Sequence, residues 1–83
     1  MKRFRVVVVS WLTENYSDTD YEKDFIFKRN AIKYIKKHKK DYEKEYEEYK
    51  DNLCEIDIDI ETWDKSLNIL KVENVLRFRK EHK

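Results

Sequence analysis

The chain has 83 residues, 45% of them charged, yet its formal net charge is only +1, and 14% of its residues are aromatic. These values predict one folded domain spanning residues 1–83, because disorder combines low hydrophobicity with a high net charge. Since the chain contains no glycine, it has no glycine-rich phosphate loop, dinucleotide fingerprint or nucleophile elbow.

The N-terminal residues 4–12 are predicted to form a strand that is central or covered on both sides. Their run of four valines is β-branched and apolar on both faces. The run ends at Ser10 with no small-residue cleavage site, and no segment approaches the roughly 20 apolar residues that cross a bilayer. We therefore expect no signal peptide and no membrane partner. With one cysteine, and so no internal disulfide, we expect a cytoplasmic protein.

Residues 13–24 are polar and acidic and are predicted to form a surface loop. Residues 25–27 are a short apolar stretch, either a brief second strand or the lead-in to a helix. Residues 28–52 are predicted to form one long helix, because apolar and aromatic residues recur at steps of three and four. These positions are Phe27, Ala31, Ile35, His38, Tyr42, Tyr46, Tyr49 and Leu53. The three tyrosines are expected to pack against the sheet with hydrated hydroxyls.

Two further strands are predicted, over residues 54–63 and 67–79. In the first, Ile56, Ile58 and Ile60 face the core while acidic residues face away. In the second, one face carries Leu70, Val72, Leu76 and Phe78. Without glycine, connections are expected to need three or more residues. The layout is β(β)αββ, an α+β domain in which one long helix covers one face of a three- or four-stranded, mostly antiparallel sheet.

The candidate binding surface is the face of the sheet that this helix leaves open. Large apolar patches are seldom exposed on monomers without a function, and aromatic anchors ringed by charge are typical of interfaces. We therefore predict that the open face binds a protein partner. The predicted contacts are Val7, Val9, Trp11, Trp63, Asp57 and Asp59, with Glu47 and Glu48 at the acidic end of the helix. The competing interpretation is that the acidic loop or the C-terminal segment folds over this face.

The charge order of the predicted helix suggests a second interaction. Its first half is basic and its second half acidic, which opposes the helix macrodipole. An antiparallel homodimer of two such helices would place each basic half against an acidic half. A solvated surface helix is the simpler alternative.

An alternative function is nucleic-acid binding by the basic half of the helix and the basic termini. The residues concerned are Lys33, Lys36, Lys37, Lys40, Arg77 and Arg79. No helix-turn-helix glycine turn, RNA-binding aromatic motif or zinc spacing accompanies them. Catalytic and metal sites are also not expected. Residues 18–24 lack the glycine of a calcium loop, and Cys54 with His38 or His82 gives too few zinc ligands. We therefore expect a non-catalytic protein without metal or cofactor.

In size, in its lack of glycine and proline, and in its heavy use of Lys, Glu, Ile, Tyr, Asp and Asn, the chain resembles small accessory proteins of phages and mobile elements from AT-rich hosts. Some of these, including anti-CRISPR proteins, are α+β domains that inhibit host defence by binding. The resemblance covers composition and layout and assigns no residues. It implies an inhibitor of a nucleic-acid-handling complex, and the acidic segments of this chain suit a basic, nucleic-acid-binding host protein.

Overall fold

A computed structural model of the chain describes residues 2–80. The elements are β1 (Arg3–Thr13), β2 (Tyr16–Phe25), α1 (Lys28–Lys37), α2 (Lys39–Tyr49), β3 (Glu55–Trp63) and β4 (Ile69–Arg79), with a single 3₁₀ turn at Lys50–Asn52. The strands form one antiparallel sheet in the order β2-β1-β3-β4, so β1 and β3 are central and β2 and β4 are edges. The predicted α+β fold class is confirmed.

The core lies between the helices and one face of the two central strands. On β1, Val6 and Val8 pair in register with Ile60 and Ile58 of β3, and all four side chains are almost completely buried. The remaining buried members of the core are Ala31, Ile35, Tyr42, Tyr46 and Ile56. Full burial of one such aliphatic side chain stabilises a fold by about 1.5–3 kcal/mol, so this layer is the main source of stability.

The prediction of a surface loop over residues 13–24 is wrong, because most of that segment forms the edge strand β2. It pairs with β1 through backbone hydrogen bonds, and its polar side chains are mostly exposed on both faces. Phe25 ends β2, whereas Ile26 and Phe27 form the bend before α1, so each alternative for residues 25–27 holds for part of them. The β1–β2 connection contains only residues 14 and 15, fewer than expected, and the Asn15 N–H donates to Thr13 Oγ1 at 3.2 Å.

The single long helix is also a wrong prediction, because the chain leaves helical geometry at His38, where φ is −97° and ψ is 11°. A continuous helix over residues 28–52 would run about 37 Å, longer than the roughly 30 Å of β3. The break keeps both helices over the sheet. Tyr49, which was predicted to pack against the sheet, has 53% of its surface exposed. Neither helix of the described residues is long and apolar enough to cross a membrane.

The break changes the helix electrostatics only at the junction of α1 and α2. Lys36 and Lys37 lie in the last turn of α1, and Asp41 lies in the first turn of α2. Both placements agree with the dipole of the helix that carries them. The outer ends keep the predicted conflict with the dipole, because the first turn of α1 has no acidic residue and the last turn of α2 has no basic one. The antiparallel homodimer stays a prediction.

Strand β4 does not keep its apolar residues on one face as predicted. Leu76 pairs with Ile58, but the next pair is Asn74 with Asp59, so Val75 is the extra residue of a register shift. A bulge of this kind exchanges the faces that the following residues occupy. Leu76 and Phe78 consequently pack on the core, whereas Leu70 and Val72 are 52% and 55% exposed.

The β3–β4 turn is built around one aspartate. The Asp64 carboxylate accepts the backbone N–H groups of Ser66 and Asn68, both at 2.9 Å. These bonds lower the pKa of Asp64. Leu67 sits in the left-handed region at φ 64°, the only positive φ in residues 2–80. A leucine thus occupies a conformation that glycine adopts without steric cost.

Candidate functional site on the open face of the sheet

Both helices pack on the side of the sheet that carries Val6 and Val8, so the opposite side has no helix over it. Alternation along the central strands determines which side chains lie on this open face. From β1 they are Arg3, Arg5, Val7, Val9 and Trp11, and from β3 they are Glu55, Asp57, Asp59, Glu61 and Trp63.

At one end of the open face, Arg5 is held between two aromatic rings. Its guanidinium carbon lies 4.8 Å from the ring centroid of Tyr21 on β2 and 4.8 Å from that of Trp63 on β3. Its Nε donates to Asp24 Oδ1 at 2.9 Å and its Nη2 to Asp24 Oδ2 at 3.4 Å. The stack is partly open to solvent, with Tyr21 58% exposed. We call Arg5, Tyr21, Asp24 and Trp63 the Arg5 platform.

The carboxylates along β3 are largely satisfied by the chain itself. Asp57 is 7% exposed and accepts a hydrogen bond from Arg77 Nε at 2.9 Å. Asp59 accepts from Asn74 Nδ2 at 2.9 Å, but burial outweighs this bond and raises the pKa of Asp59. Arg77 also lies 3.3 Å from Glu55. These carboxylates therefore bind side chains of β4 and join β3 to β4 within the chain.

Two other carboxylates complete this row. Glu61 accepts the indole N–H of Trp63 at 3.0 Å, which fixes the orientation of the ring against Arg5. Burial raises the pKa of Glu55, and the neighbouring Asp57 raises it further. Among residues 2–80, neither Asp59 nor Glu61 forms an ion pair.

The exposed valine strip expected from the sequence is narrower than predicted. Val7 is only 3% exposed, and Val9 and Trp11 are half-buried. Val7 pairs with Tyr21 on one side and Asp59 on the other, and directly opposed side chains on one face of a sheet touch. The acidic segment thus does shield part of the strip, although it does so as strand β2 and not as a loop folded over the face.

The two tryptophans lie at opposite ends of the open face. Trp11 pairs with Glu55 and Arg3 pairs with Trp63, so eight residues of β3, about 27 Å, separate the ends. A depression of about 320 Å³ adjoins Trp63, and one of about 260 Å³ adjoins Trp11. Glu47 and Glu48 lie on α2, on the other side of the sheet, and Glu47 pairs with Lys50 at 2.7 Å. The predicted contacts do not form one surface.

The residues proposed for nucleic-acid binding are divided between the two sides of the molecule. The lysines at positions 33, 36, 37 and 40 are exposed on the helices, whereas Arg77 and Arg79 pair with open-face residues of β3. Arg77 is engaged by Asp57. The basic termini do not meet either, because β3 separates β1 from β4 and Arg3 and Arg79 lie at opposite ends.

Three residues of the Arg5 platform were not among the sequence candidates. Tyr21 and Asp24 lie in the segment predicted to be a loop, and Arg5 contacts them only because that segment pairs with β1 as a strand. Within the described part of the chain, no three His, Cys, Asp or Glu side chains are arranged to hold a metal ion, and His82 lies outside it. No protein-family model, curated protein or solved structure matches this chain. Its candidate function therefore rests on the surfaces described here.

Proposed function

We propose that this protein is a non-catalytic binding module that engages a protein partner through the Trp63 end of its open face. The observation that carries the proposal is the Arg5 platform, in which Arg5 lies 4.8 Å from both aromatic rings. Trp, Tyr and Arg are the residues most enriched at energetic hot spots of interfaces. Because the stack is ordered in the free protein, binding costs less side-chain entropy.

Exposed apolar residues continue the platform onto β4 and the turn before it. Ile69 pairs with Trp63 and is 48% exposed, Val72 pairs with Glu61 and is 55% exposed, and Leu67 in the turn is 77% exposed. An apolar group beside aromatic anchors and paired charges is typical of the centre and rim of a protein interface. We include these three residues in the proposed contact surface.

We also propose that the module acts in the cytoplasm and inhibits a host nucleic-acid-handling complex. The support for this is the likeness in size and composition to phage accessory proteins of the anti-CRISPR kind. Asp59 and Glu61, which have no ion-pair partner in residues 2–80, add negative charge that suits a basic host protein.

The test compares pairs of variants matched for exposure on the two sides of the sheet. Tyr21→Ala removes a platform ring that is 58% exposed, and Tyr49→Ala removes a ring on α2 that is 53% exposed. Ile69→Lys and Ile26→Lys form the second pair, at 48% and 57% exposure. We expect wild type and the two controls to capture the same protein from a lysate of the source cell.

Capture should be lost with Tyr21→Ala and with Ile69→Lys, and circular dichroism should show that all four variants are folded. Equal capture by Tyr21→Ala and Tyr49→Ala would remove the platform from the binding surface. Loss with the helix-side controls instead would place the interface on the opposite side of the sheet. Hydrogen exchange of the captured complex then maps the protected strand directly.

A further inference from the structure

A cleft on the helix side of the sheet, separate from the Arg5 platform, has the features of a cation site. It lies between the edge strand β2 and the junction of the two helices and encloses about 220 Å³. We call it the Tyr42 cleft. It is lined by Glu22 from β2, Tyr34 from α1, His38 at the junction, and Asp41, Tyr42 and Glu45 from α2.

Tyr42, one of the residues that line the cleft, has a hydroxyl without a partner. Burial raises the pKa of this hydroxyl, and the nearby Glu22 and Glu45 raise it further. Tyr42 is 5% exposed, and its Oη is the only buried side-chain nitrogen or oxygen in residues 2–80 that lacks a hydrogen bond. Folded proteins seldom leave such a group unsatisfied, since removing a hydroxyl from water without replacing its hydrogen bonds is costly. The hydroxyl can accept a hydrogen bond from a donor that enters the cleft.

The walls of the cleft carry unbalanced negative charge. Neither Glu22 nor Glu45 forms an ion pair within the described residues. Burial raises the pKa of Glu45, and the nearby Glu22 and Asp20 raise it further. A cation beside Glu45 would oppose this rise, because an opposite charge favours the ionised carboxylate.

Within residues 2–80, no lysine or arginine nitrogen lies within ion-pair distance of Glu22 or Glu45. His38 Nδ1 lies 3.2 Å from Asp41 Oδ2, at the rim. The Lys23 ammonium lies over the rings of Phe25 and Tyr34, at 5.5 and 5.9 Å from their centroids. Burial raises the pKa of Tyr34, and Glu22, which accepts a hydrogen bond from the Tyr34 hydroxyl, raises it further. A carboxylate offers about four lone-pair sites, so Glu22 and Glu45 can still accept hydrogen bonds from a ligand.

We propose that the Tyr42 cleft binds the guanidinium group of an arginine side chain presented by a polypeptide partner. A guanidinium is planar and has five N–H donors, so one group can donate to Glu22, Glu45 and the Tyr42 hydroxyl. Its face can also stack on Tyr34 or His38, whose rings lie 4.5 Å apart.

Other ligands fit the cleft less well. Its volume of about 220 Å³ is below the usual range for drug-sized or cofactor ligands and suits a side-chain head group. A metal ion lacks a sufficient ligand set, because no three His, Cys, Asp or Glu side chains in residues 2–80 are arranged for one. The proposal concerns the opposite side of the sheet from the Arg5 platform and stands whether or not the platform binds a partner.

The experiment is a titration of the ¹⁵N-labelled protein, followed by NMR, with N-acetyl-arginine amide at low ionic strength. We expect saturable shifts centred on residues 34, 38, 42 and 45. N-acetyl-citrulline amide, which has the same shape without the charge, should give none, and N-acetyl-lysine amide should bind several-fold more weakly. Equal binding of citrulline or lysine, or no saturation with arginine, would overturn the assignment. Tighter binding of free arginine than of the blocked form would overturn a polypeptide source.

Two variants locate the site within the protein. Tyr42→Phe and Glu45→Gln should each weaken arginine binding by about fivefold or more, the effect of one lost hydrogen bond. Glu43→Gln removes an exposed carboxylate of α2 that does not line the cleft, and it should bind as wild type does. Unchanged affinity in Tyr42→Phe, in a protein whose spectrum shows it folded, would contradict the proposal.

Discussion

Replacing Tyr42 with phenylalanine is expected to stabilise the free protein while it impairs the proposed cleft. The Tyr42 hydroxyl is buried without a hydrogen bond, so the folded state has lost its hydration and gained nothing in return. In protein mutational data this loss is worth about 1–3 kcal/mol. The phenylalanine ring keeps the apolar contacts of the tyrosine. We therefore expect the free energy of unfolding to rise by about 1–2 kcal/mol.

Urea unfolding monitored by circular dichroism measures this change, and thermal unfolding gives a second measure. A gain of 1 kcal/mol corresponds to roughly 4–8 °C in melting temperature for a domain of this size. Tyr46→Phe is the matched control, because Tyr46 is 6% exposed but its hydroxyl is not buried without a partner. It should change stability by less than about 0.5 kcal/mol. A loss of stability in Tyr42→Phe would show that the hydroxyl is satisfied in solution, and would refute the reasoning.

Three further predictions test other parts of the structure. Arg5→Lys should lower the free energy of unfolding by about 1 kcal/mol in urea, because an ammonium keeps the charge but not the planar stack on two rings; unchanged stability would contradict the stack. Leu67→Gly should raise the melting temperature, by the equivalent of about 0.5–1 kcal/mol, since relief of left-handed strain exceeds the added chain entropy of glycine; a decrease would mean that Leu67 is not strained. The Lys28 ammonium, 2.7 Å from Glu73, holds the pKa of Glu73 below its ordinary value of 4.5. This pair stabilises the fold above that pH and ceases to do so as the pH falls through the lower folded-state pKa, so Glu73→Gln should flatten the acid limb of the stability–pH curve; an unchanged limb would exclude the pair.

The central strands could be predicted because their apolar residues stand at the positions that the core buries. The valines of β1 and the alternating isoleucines of β3 are apolar where the core requires it, and the structure buries Val6, Ile58 and Ile60 completely. The helical stripe was equally clear at Ala31 and Ile35. These patterns can be read from the sequence because the apolar or polar character of each side chain indicates whether its position is buried.

The edge strand could not be predicted, because its residues are mostly exposed on both faces and show no apolar period. The strand is stabilised by backbone hydrogen bonds to β1. The polarity of its side chains does not indicate that these bonds form. The break at His38 could not be predicted either, because no glycine or proline marks it in the sequence. The bulge at Val75 depends on how β4 pairs with β3. Each is decided by tertiary packing.

The candidate site was predictable only in part for the same reason. Alternation placed Trp63 and Asp59 on the open face, but the stack on Arg5 requires Tyr21, and so requires β2. The Tyr42 hydroxyl was expected to be hydrated, because its position on the helical stripe does not reveal that it is buried in a cleft beside Glu22 of β2. Contacts between distant segments create both sites.

The two edges of the sheet differ in how they resist aggregation. Along β2, the carboxylates of Asp18, Asp20 and Glu22 would face their own copies in an edge-to-edge pair, and like charges keep such chains apart. Along β4, the irregularities at Val75 and Leu70 interrupt the straight ladder that an incoming strand needs. The first protection depends on side-chain charge, whereas the second depends on the course of the backbone. If the charges of β2 were removed by substitution, two chains would be able to join through their β2 edges, but growth would stop at that pair because β4 stays blocked.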